Sequence, residues 1–220
     1  MVTRDDGNEL AGGLIGGASP EPTLAYRALR RVWHLGAALL RFRVQLEGLE
    51  QLAALPAPGG WIAAGMPHRT WIDPFLLWGW LPARPRLVFF GDAATMSRSV
   101  VRRAFVRAVG GIIPIPTRPA PGAVAVHLEA AARALEAGTV FCLFPETGPA
   151  SEPGRIRRLG GGVAYIALRS GAPIVPIAIG GNDELFIGRR IVVRVLSPLD
   201  PRELAGDRKS TRLKSSHVAL

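Results

Sequence analysis

Short apolar runs of strand length alternate with helical patterns along most of the chain, and this alternation restricts the possible folds more than any other feature. The apolar runs cover residues 44–46, 61–65, 87–90, 112–115, 140–144, 174–179 and 191–196. The helical patterns cover residues 73–81, 93–109, 121–137 and 161–170. Such alternation is typical of α/β domains. We therefore expect a single domain with a largely parallel central sheet flanked by helices.

A further helix is predicted over residues 24–43, before the alternating part of the chain. One face carries the apolar residues Leu29, Val32, Leu35, Gly36 and Leu39, and the other carries Arg27, Arg31, His34 and Arg41. A basic amphipathic helix of this kind is suited to a membrane interface. It is equally suited to packing on its own domain with the arginines in solvent. Both interpretations stay open.

The two ends of the chain differ from the middle. Residues 1–22 are rich in Gly and Pro and poor in apolar side chains, which predicts disorder. Residues 1–206 contain 23 arginines and no lysine, whereas both lysines of the chain, Lys209 and Lys214, lie in the last 14 residues. The change in basic-residue usage indicates that residues 207–220 are a non-native tail. The folded domain is therefore expected to span residues 23–206.

Charge and motif content narrow the possible functions. Residues 1–206 carry 23 Arg against 16 Asp and Glu, a formal charge of +7, which favours anionic partners such as phosphates, nucleic acid or acidic lipids. No nucleic-acid recognition motif accompanies this charge, so we expect no nucleic-acid partner. Cys142 is the only cysteine, which excludes a disulfide framework and a Cys-rich zinc site. Without a P-loop, a dinucleotide motif or a His-Glu-x-x-His motif, we expect no cofactor and no metal.

No signal peptide and no uninterrupted apolar stretch of membrane-spanning length is visible in the sequence. If this protein meets a membrane, we expect it to lie on the surface rather than to cross it.

The segment from Pro67 to Pro74 holds the clearest pattern of chemically active side chains. It follows the predicted strand 61–65, and Asp73-Pro74 is typical of a helix start with Asp73 as N-cap and Pro74 at the first helical position. The four intervening residues let the chain turn back so that His68 can reach the Asp73 carboxylate. Such a pair is a base with its orienting group, able to take a proton from an alcohol. A structural histidine beside a capping aspartate is the alternative.

Three further segments accompany this pair. Phe144-Pro145-Glu146-Thr147-Gly148 leaves a predicted strand, so that Glu146 is expected at the carboxyl edge of the sheet. Residues 110–118 form a short strand that ends on Arg118, whose planar guanidinium suits a phosphate. Residues 172–181 are typical of a buried strand followed by a turn.

In this order and spacing the four segments resemble the glycerolipid acyltransferase family, typified by 1-acylglycerol-3-phosphate acyltransferases, over roughly residues 24–203. The resemblance implies a glycerol-3-phosphate acyltransferase-like fold, with His68 as catalytic base and Asp73 as its partner. It implies that Arg118 binds the acceptor phosphate and that the block containing Glu146, Thr147 and Gly148 binds substrate. It further implies acyl-CoA or acyl-carrier protein as donor and a lysophospholipid as acceptor. We expect a peripheral enzyme on the cytoplasmic face of the cell membrane.

The chain departs from the family pattern at three places. Pro67 stands where an asparagine is usual, Pro149 stands where the third block has an arginine, and Gly160–Gly162 lacks the usual basic residue. The last two changes remove positive charge from the expected acceptor site. Two alternatives therefore stay open: the same chemistry on another lyso-lipid (an aminolipid or glycolipid), and a catalytically silent membrane-binding module.

Overall fold

The protein, described here from a computed structural model, is a single open sheet with helices on its faces. The structure describes residues 19–55, 59–94, 99–116, 123–146 and 157–203. The strands are β1 (Arg43–Glu47), β2 (Trp61–Met66), β3 (Leu87–Asp92), β4 (Ile112–Ile115), β5 (Val140–Leu143), β6 (Ile174–Gly180) and β7 (Arg190–Val195). Their order is β1-β7-β6-β2-β5-β3-β4. Neighbouring strands are parallel everywhere except between β6 and β7, which confirms the predicted α/β class and largely parallel sheet.

The helices are α1 (Leu24–Leu39), α2 (Asp73–Trp80), α3 (Val100–Val109), α4 (Ala123–Glu136) and α5 (Gly162–Ser170), with a 3₁₀ helix at Leu49–Ala54. The predicted helix 24–43 ends earlier, at Leu39, because Arg41 adopts a left-handed conformation (φ 55°) and the chain enters β1 at Arg43. The predicted helices 93–109 and 121–137 include residues 95–98 and 121–122, which lie outside the described residues. The disorder predicted for residues 1–22 and the tail 207–220 fall almost entirely outside them as well.

The two largest core clusters lie on opposite faces of the sheet, and β2 contributes to both. A smaller third cluster joins Tyr26 of α1, Trp78 of α2 and Val109 of α3. Trp61 and Ala63 pack in the cluster that contains Leu76 and Leu77 of α2, whereas Ile62 packs in the cluster that contains residues of α4 and α5. A strand covered on both faces needs apolar side chains at every position. This explains why residues 61–65 are a continuous apolar run.

Helix α1 packs with one face and leaves a different apolar stripe outside. Its Tyr26 ring meets Trp78 of α2 edge-on at 5.5 Å, and Trp33 lies 5.6 Å from Phe75. Arg30 donates to the carbonyl oxygens of Gly79 at 2.6 Å and Leu81 at 2.8 Å, where α2 ends. The exposed large apolar side chains of the helix are Leu24, Val32, Leu35 and Leu39. Three members of the stripe expected from the sequence, Val32, Leu35 and Leu39, therefore face outward.

The arrangement of the central strands brings distant parts of the chain to one edge. β2 lies between β5 and β6, and all three are parallel. Their carboxyl ends consequently meet at the same edge of the sheet. The segments that follow them, beginning at Pro67, Phe144 and Gly181, are neighbours there although they are far apart in sequence.

Candidate active site

His68 and Asp73 form a direct contact in the connection from β2 to α2. The Nδ1 atom of His68 lies 2.9 Å from the Oδ2 atom of Asp73. The helix begins at Asp73 itself, with Ile72 in the capping position, so the N-cap assignment of Asp73 was wrong by one residue. The physical reason is that the carboxylate turns back into the loop. Its Oδ2 atom accepts the N–H groups of Arg69 at 2.7 Å and of Thr70 at 2.8 Å.

The Asp73 carboxylate is fully buried and is surrounded by donors. Its Oδ1 atom accepts from Thr70 Oγ1 at 3.0 Å and from Asn182 Nδ2 at 2.9 Å. Burial acts to raise the pKa of Asp73, but the hydrogen bonds from His68, Thr70 and Asn182 outweigh it, and the pKa lies below its usual value. An ionised carboxylate accepts hydrogen bonds and cannot donate them. In the neutral imidazole of His68 the proton therefore sits on Nδ1, and the lone pair of Nε2 can accept another proton.

Asn182 is a site residue that our sequence analysis missed. It lies two residues beyond the end of β6 and is buried. Besides its bond to Asp73, its side-chain amide donates to the carbonyl oxygen of Pro67 at 3.3 Å. Asn182 thereby connects both ends of the loop that carries His68. The available signal was a polar residue just beyond the carboxyl end of a buried strand, but nothing in the sequence showed that this strand lies beside β2.

Glu146 lies at the predicted edge, directly beside His68. It is buried, and one carboxylate oxygen accepts the backbone N–H of His68 while the other accepts the N–H of Arg157 at 3.0 Å. The same segment pairs again where Gly160 N–H donates to Pro145 O at 2.7 Å. In the described structure, both Glu146 oxygens thus bind backbone groups, and the side chain ties the His68 loop to the segment that enters α5.

Arg118, Thr147 and Gly148 all lie outside the described residues. Arg157 and Arg158 are described and exposed, close in sequence to the segment held by Glu146.

An apolar cavity of about 400 Å³ opens beside His68. The His68 ring stacks on Phe144 with a centroid distance of 4.3 Å. The other lining side chains are mostly apolar and come from β3, β5, α4 and α5: Phe89, Phe90, Leu128, Cys142, Leu143, Val163 and Ile166. Burial raises the pKa of the Cys142 thiol far above its usual value. That thiol is consequently neutral and unsuited to act as a nucleophile.

The described residues also bear on membrane spans and metal sites. No helix there has both the length and the hydropathy required to cross a bilayer. Within the same ranges, no group of three or more His, Cys, Asp or Glu side chains is placed to hold a metal ion.

Comparison with known proteins identifies both a family and a fold. A family model described as Acyltransferase matches residues 43–180, which is more than half of the chain. Among solved structures, the fold is similar to the crystal structure of PlsC, the 1-acyl-sn-glycerophosphate (LPA) acyltransferase of Thermotoga maritima. The TM-score is 0.60 at 17% sequence identity, and the match covers 88% of this chain and 81% of that one. The family match includes β2, β5 and β6, the strands whose carboxyl ends form the edge beside His68.

Proposed function

Because this chain belongs to the acyltransferase family, we propose that it transfers a fatty acyl group from acyl-CoA or acyl-carrier protein to the free hydroxyl of a lysophospholipid in phospholipid biosynthesis. The observation that carries the proposal is the His68–Asp73 contact of 2.9 Å at the mouth of an apolar cavity. It combines a base suited to an alcohol with a space suited to a hydrocarbon chain.

The proposed reaction uses His68 as a general base. The acceptor hydroxyl gives its proton to Nε2 of His68 while its oxygen attacks the thioester carbonyl carbon. The tetrahedral intermediate then collapses, the carbon–sulfur bond breaks, and the leaving thiolate takes the proton from the imidazolium. The products are an ester and a free thiol, and no acyl-enzyme is required. Asp73 stabilises the imidazolium and holds the ring in the tautomer that leaves Nε2 unprotonated.

The surroundings of Asp73 support a catalytic role over a structural one. Five donors converge on this carboxylate: His68 Nδ1, the backbone and side chain of Thr70, the backbone of Arg69, and Asn182. An N-capping aspartate needs only the N–H groups of its own helix. This arrangement keeps the carboxylate ionised and fixed opposite the imidazole, while the His68 side chain stays one-quarter exposed. It weighs against the alternative of a catalytically silent module.

We assign the apolar cavity to the fatty acyl chain. The stacked Phe144 ring forms a wall that is continuous from His68 into the cavity. A chain lying there would place its thioester carbon at the imidazole. Cavities lined by apolar side chains with few polar groups are typical of such ligands.

The acceptor is proposed to be lysophosphatidate-like, with its phosphate on Arg118 and its glycerol end near the block of Glu146, Thr147 and Gly148. The similar fold of the Thermotoga maritima protein, a 1-acyl-sn-glycerophosphate (LPA) acyltransferase, supports this choice. Another lyso-lipid, such as an aminolipid or glycolipid, is the second candidate, because Pro149 and Gly160–Gly162 stand where the family carries positive charge.

We also propose that the enzyme lies peripherally on the cytoplasmic face of the cell membrane. The outward stripe of α1 and the adjacent exposed Arg27 and Arg31 support this placement. A helix with an apolar outer face and basic flanks is suited to lie in the interface of an anionic bilayer.

A lipid-product assay tests the proposal. Purified protein is offered acyl-CoA or acyl-carrier protein with a panel of lyso-acceptors, namely lysophosphatidate, lysophosphatidylcholine and a lyso-aminolipid. We expect an ester product with wild type and none with His68→Ala. Product formation at the wild-type rate by a folded His68→Ala variant would refute the mechanism, and no product from any pair of substrates would refute the function.

A further inference from the structure

The loop between β6 and β7, residues 181–189, carries an apolar tip. Phe186 is 53% exposed and Ile187 is 71% exposed. Adjacent large apolar side chains in such positions are uncommon on a surface that meets only water. Arg189 lies over the Phe186 ring, with its guanidinium carbon 5.0 Å from the centroid, so one cation stands against the apolar tip.

The loop tip is joined to the end of α1. The N–H of Gly188 donates to the carbonyl oxygen of Leu40 at 3.1 Å. Leu39, 75% exposed, and Leu40, also exposed, lie at this junction. The tip and the outward stripe of α1 are consequently parts of one surface with a fixed relative position.

Basic side chains border this surface. Arg41, Arg43 and Arg190 are exposed around the junction. Neither Arg41 nor Arg43 forms an ion pair with an acidic side chain in the described part of the chain. The two acidic residues of the loop are Asp183, which pairs with Arg189 at 2.8 Å, and Glu184. Four arginines against two carboxylates give the patch a net positive charge, which is complementary to anionic lipid headgroups.

The same loop begins at the candidate active site. Asn182 contacts Asp73 at 2.9 Å, and Phe186 follows only four residues later. Trp71, in the loop between His68 and Asp73, is itself 73% exposed and contacts Phe75, which contacts Trp33 of α1. Exposed apolar side chains therefore lie in two of the loops that meet at the edge of the sheet carrying His68.

We infer that the β6–β7 loop is a second lipid-contact element. Phe186 and Ile187 insert beside the α1 stripe into an anionic bilayer, and the active-site edge is thereby turned towards the lipid. The inference rests on the proposed function, since it explains how an acceptor that resides in a bilayer reaches His68. A bilayer fits better than a protein partner because the apolar tip is small and is bordered by exposed arginines.

Vesicle binding by the full chain tests the inference. The loop variant is Phe186→Ser with Ile187→Ser, and the helix variant is Leu35→Ser with Leu39→Ser. A matched control is Val126→Ser with Leu168→Ser, two exposed apolar positions on α4 and α5. Binding is measured by co-sedimentation with vesicles of phosphatidylcholine alone and of phosphatidylcholine with phosphatidylglycerol, at low and at high salt.

We expect wild type to bind the anionic vesicles and to be released by salt. The partition coefficient of the loop variant should fall roughly tenfold. Partial insertion of a phenylalanine and an isoleucine contributes enough transfer free energy for a change of about that size. The control variant should bind as wild type does. Acyl transfer, if present, should fall more with a vesicle-embedded acceptor than with a short-chain soluble one. Vesicle binding is measured without substrate. The test therefore remains valid even if the protein lacks the proposed acyltransferase activity.

Three results would overturn the inference. The first is that the loop variant binds vesicles as strongly as the wild-type protein. The second is a dimer in solution that the loop variant converts to monomer while vesicle binding is unchanged, which would assign the tip to a second copy of the chain. The third is a loss of several degrees in Tm without lipid, which would show that the tip is covered by another segment of its own chain.

Discussion

Removing the Asn182 side chain gives the sharpest test of the site as described. In Asn182→Ala, Asp73 loses one of its two Oδ1 donors and the Pro67 carbonyl loses its side-chain donor. Thr70 still donates to Oδ1 at 3.0 Å, so the carboxylate is loosened and not released. A hydrogen bond to a charged group contributes about 1.5–3 kcal/mol. In a domain of this size about 2 kcal/mol lowers Tm by roughly 4–8 °C.

The catalytic effect of Asn182→Ala should appear in kcat. Expressing half of about 2 kcal/mol in the transition state lowers kcat roughly fivefold. KM should change little, because the amide contacts the orienting carboxylate and not the cavity. Asn182→Asp should lower kcat more than Asn182→Ala does. A second carboxylate beside Asp73 raises the pKa of the pair, so the acid limb of the pH–rate profile should move to higher pH.

The control is Thr139→Val, at the opposite end of the sheet. The buried Thr139 hydroxyl donates to the Ala134 carbonyl oxygen at 2.7 Å, so its loss lowers stability without touching the His68 loop. Rates are measured with both variants well below their Tm. The reasoning would be refuted by Asn182→Ala retaining wild-type kcat, or by Thr139→Val losing as much kcat for an equal change in Tm.

Four further outcomes are expected. His68→Ala should lower kcat by about 10²–10⁴-fold with an unchanged circular dichroism spectrum, and a smaller loss would show that another group serves as base. Because the pKa of folded Asp73 lies below the ordinary value of 3.8, its stabilising contribution is present above that pH and is lost as pH falls through the folded pKa. Between pH 5 and 2.5, the Tm should therefore fall more steeply for wild type than for Asp73→Asn. The same dependence of Tm on pH in both proteins would contradict this. Arg118→Ala should raise the KM for lysophosphatidate more than it lowers kcat, as positioning is lost while the base remains; an unchanged KM would move the phosphate elsewhere. Deleting residues 207–220 should leave Tm unchanged in a thermal melt, whereas a loss of several degrees would show that this segment packs on the domain.

The contact of His68 with Asp73 was predictable because it is local. Only four residues lie between them in the sequence, and the pair Asp73-Pro74 indicates a helix start after a short loop. Asn182 was not predictable in the same way. Its contact with Asp73 depends on β6 lying beside β2, and strand order is decided by packing of the whole sheet rather than by any local pattern.

Helix α1 shows a second limit of sequence patterns. Periodicity correctly indicated a helix with apolar positions, but this helix has two apolar faces. The face with Tyr26 and Trp33 packs inward, because large aromatic side chains contribute the most buried area. Val32, Leu35 and Leu39 are left outside. The roles of Arg118, Thr147 and Gly148 remain predictions from the resemblance.

The position of β2 in the middle of the sheet has a consequence for folding kinetics. His68 meets Glu146 across 78 residues of sequence, and Asp73 meets Asn182 across 109. Such contacts form only after long chain closures, which slow folding in parallel sheets. A refolding chain should therefore regain its helical circular dichroism signal before it regains turnover. If β5 or β6, the two strands beside β2, detaches during partial unfolding, the enzyme should lose activity while most of its secondary structure persists.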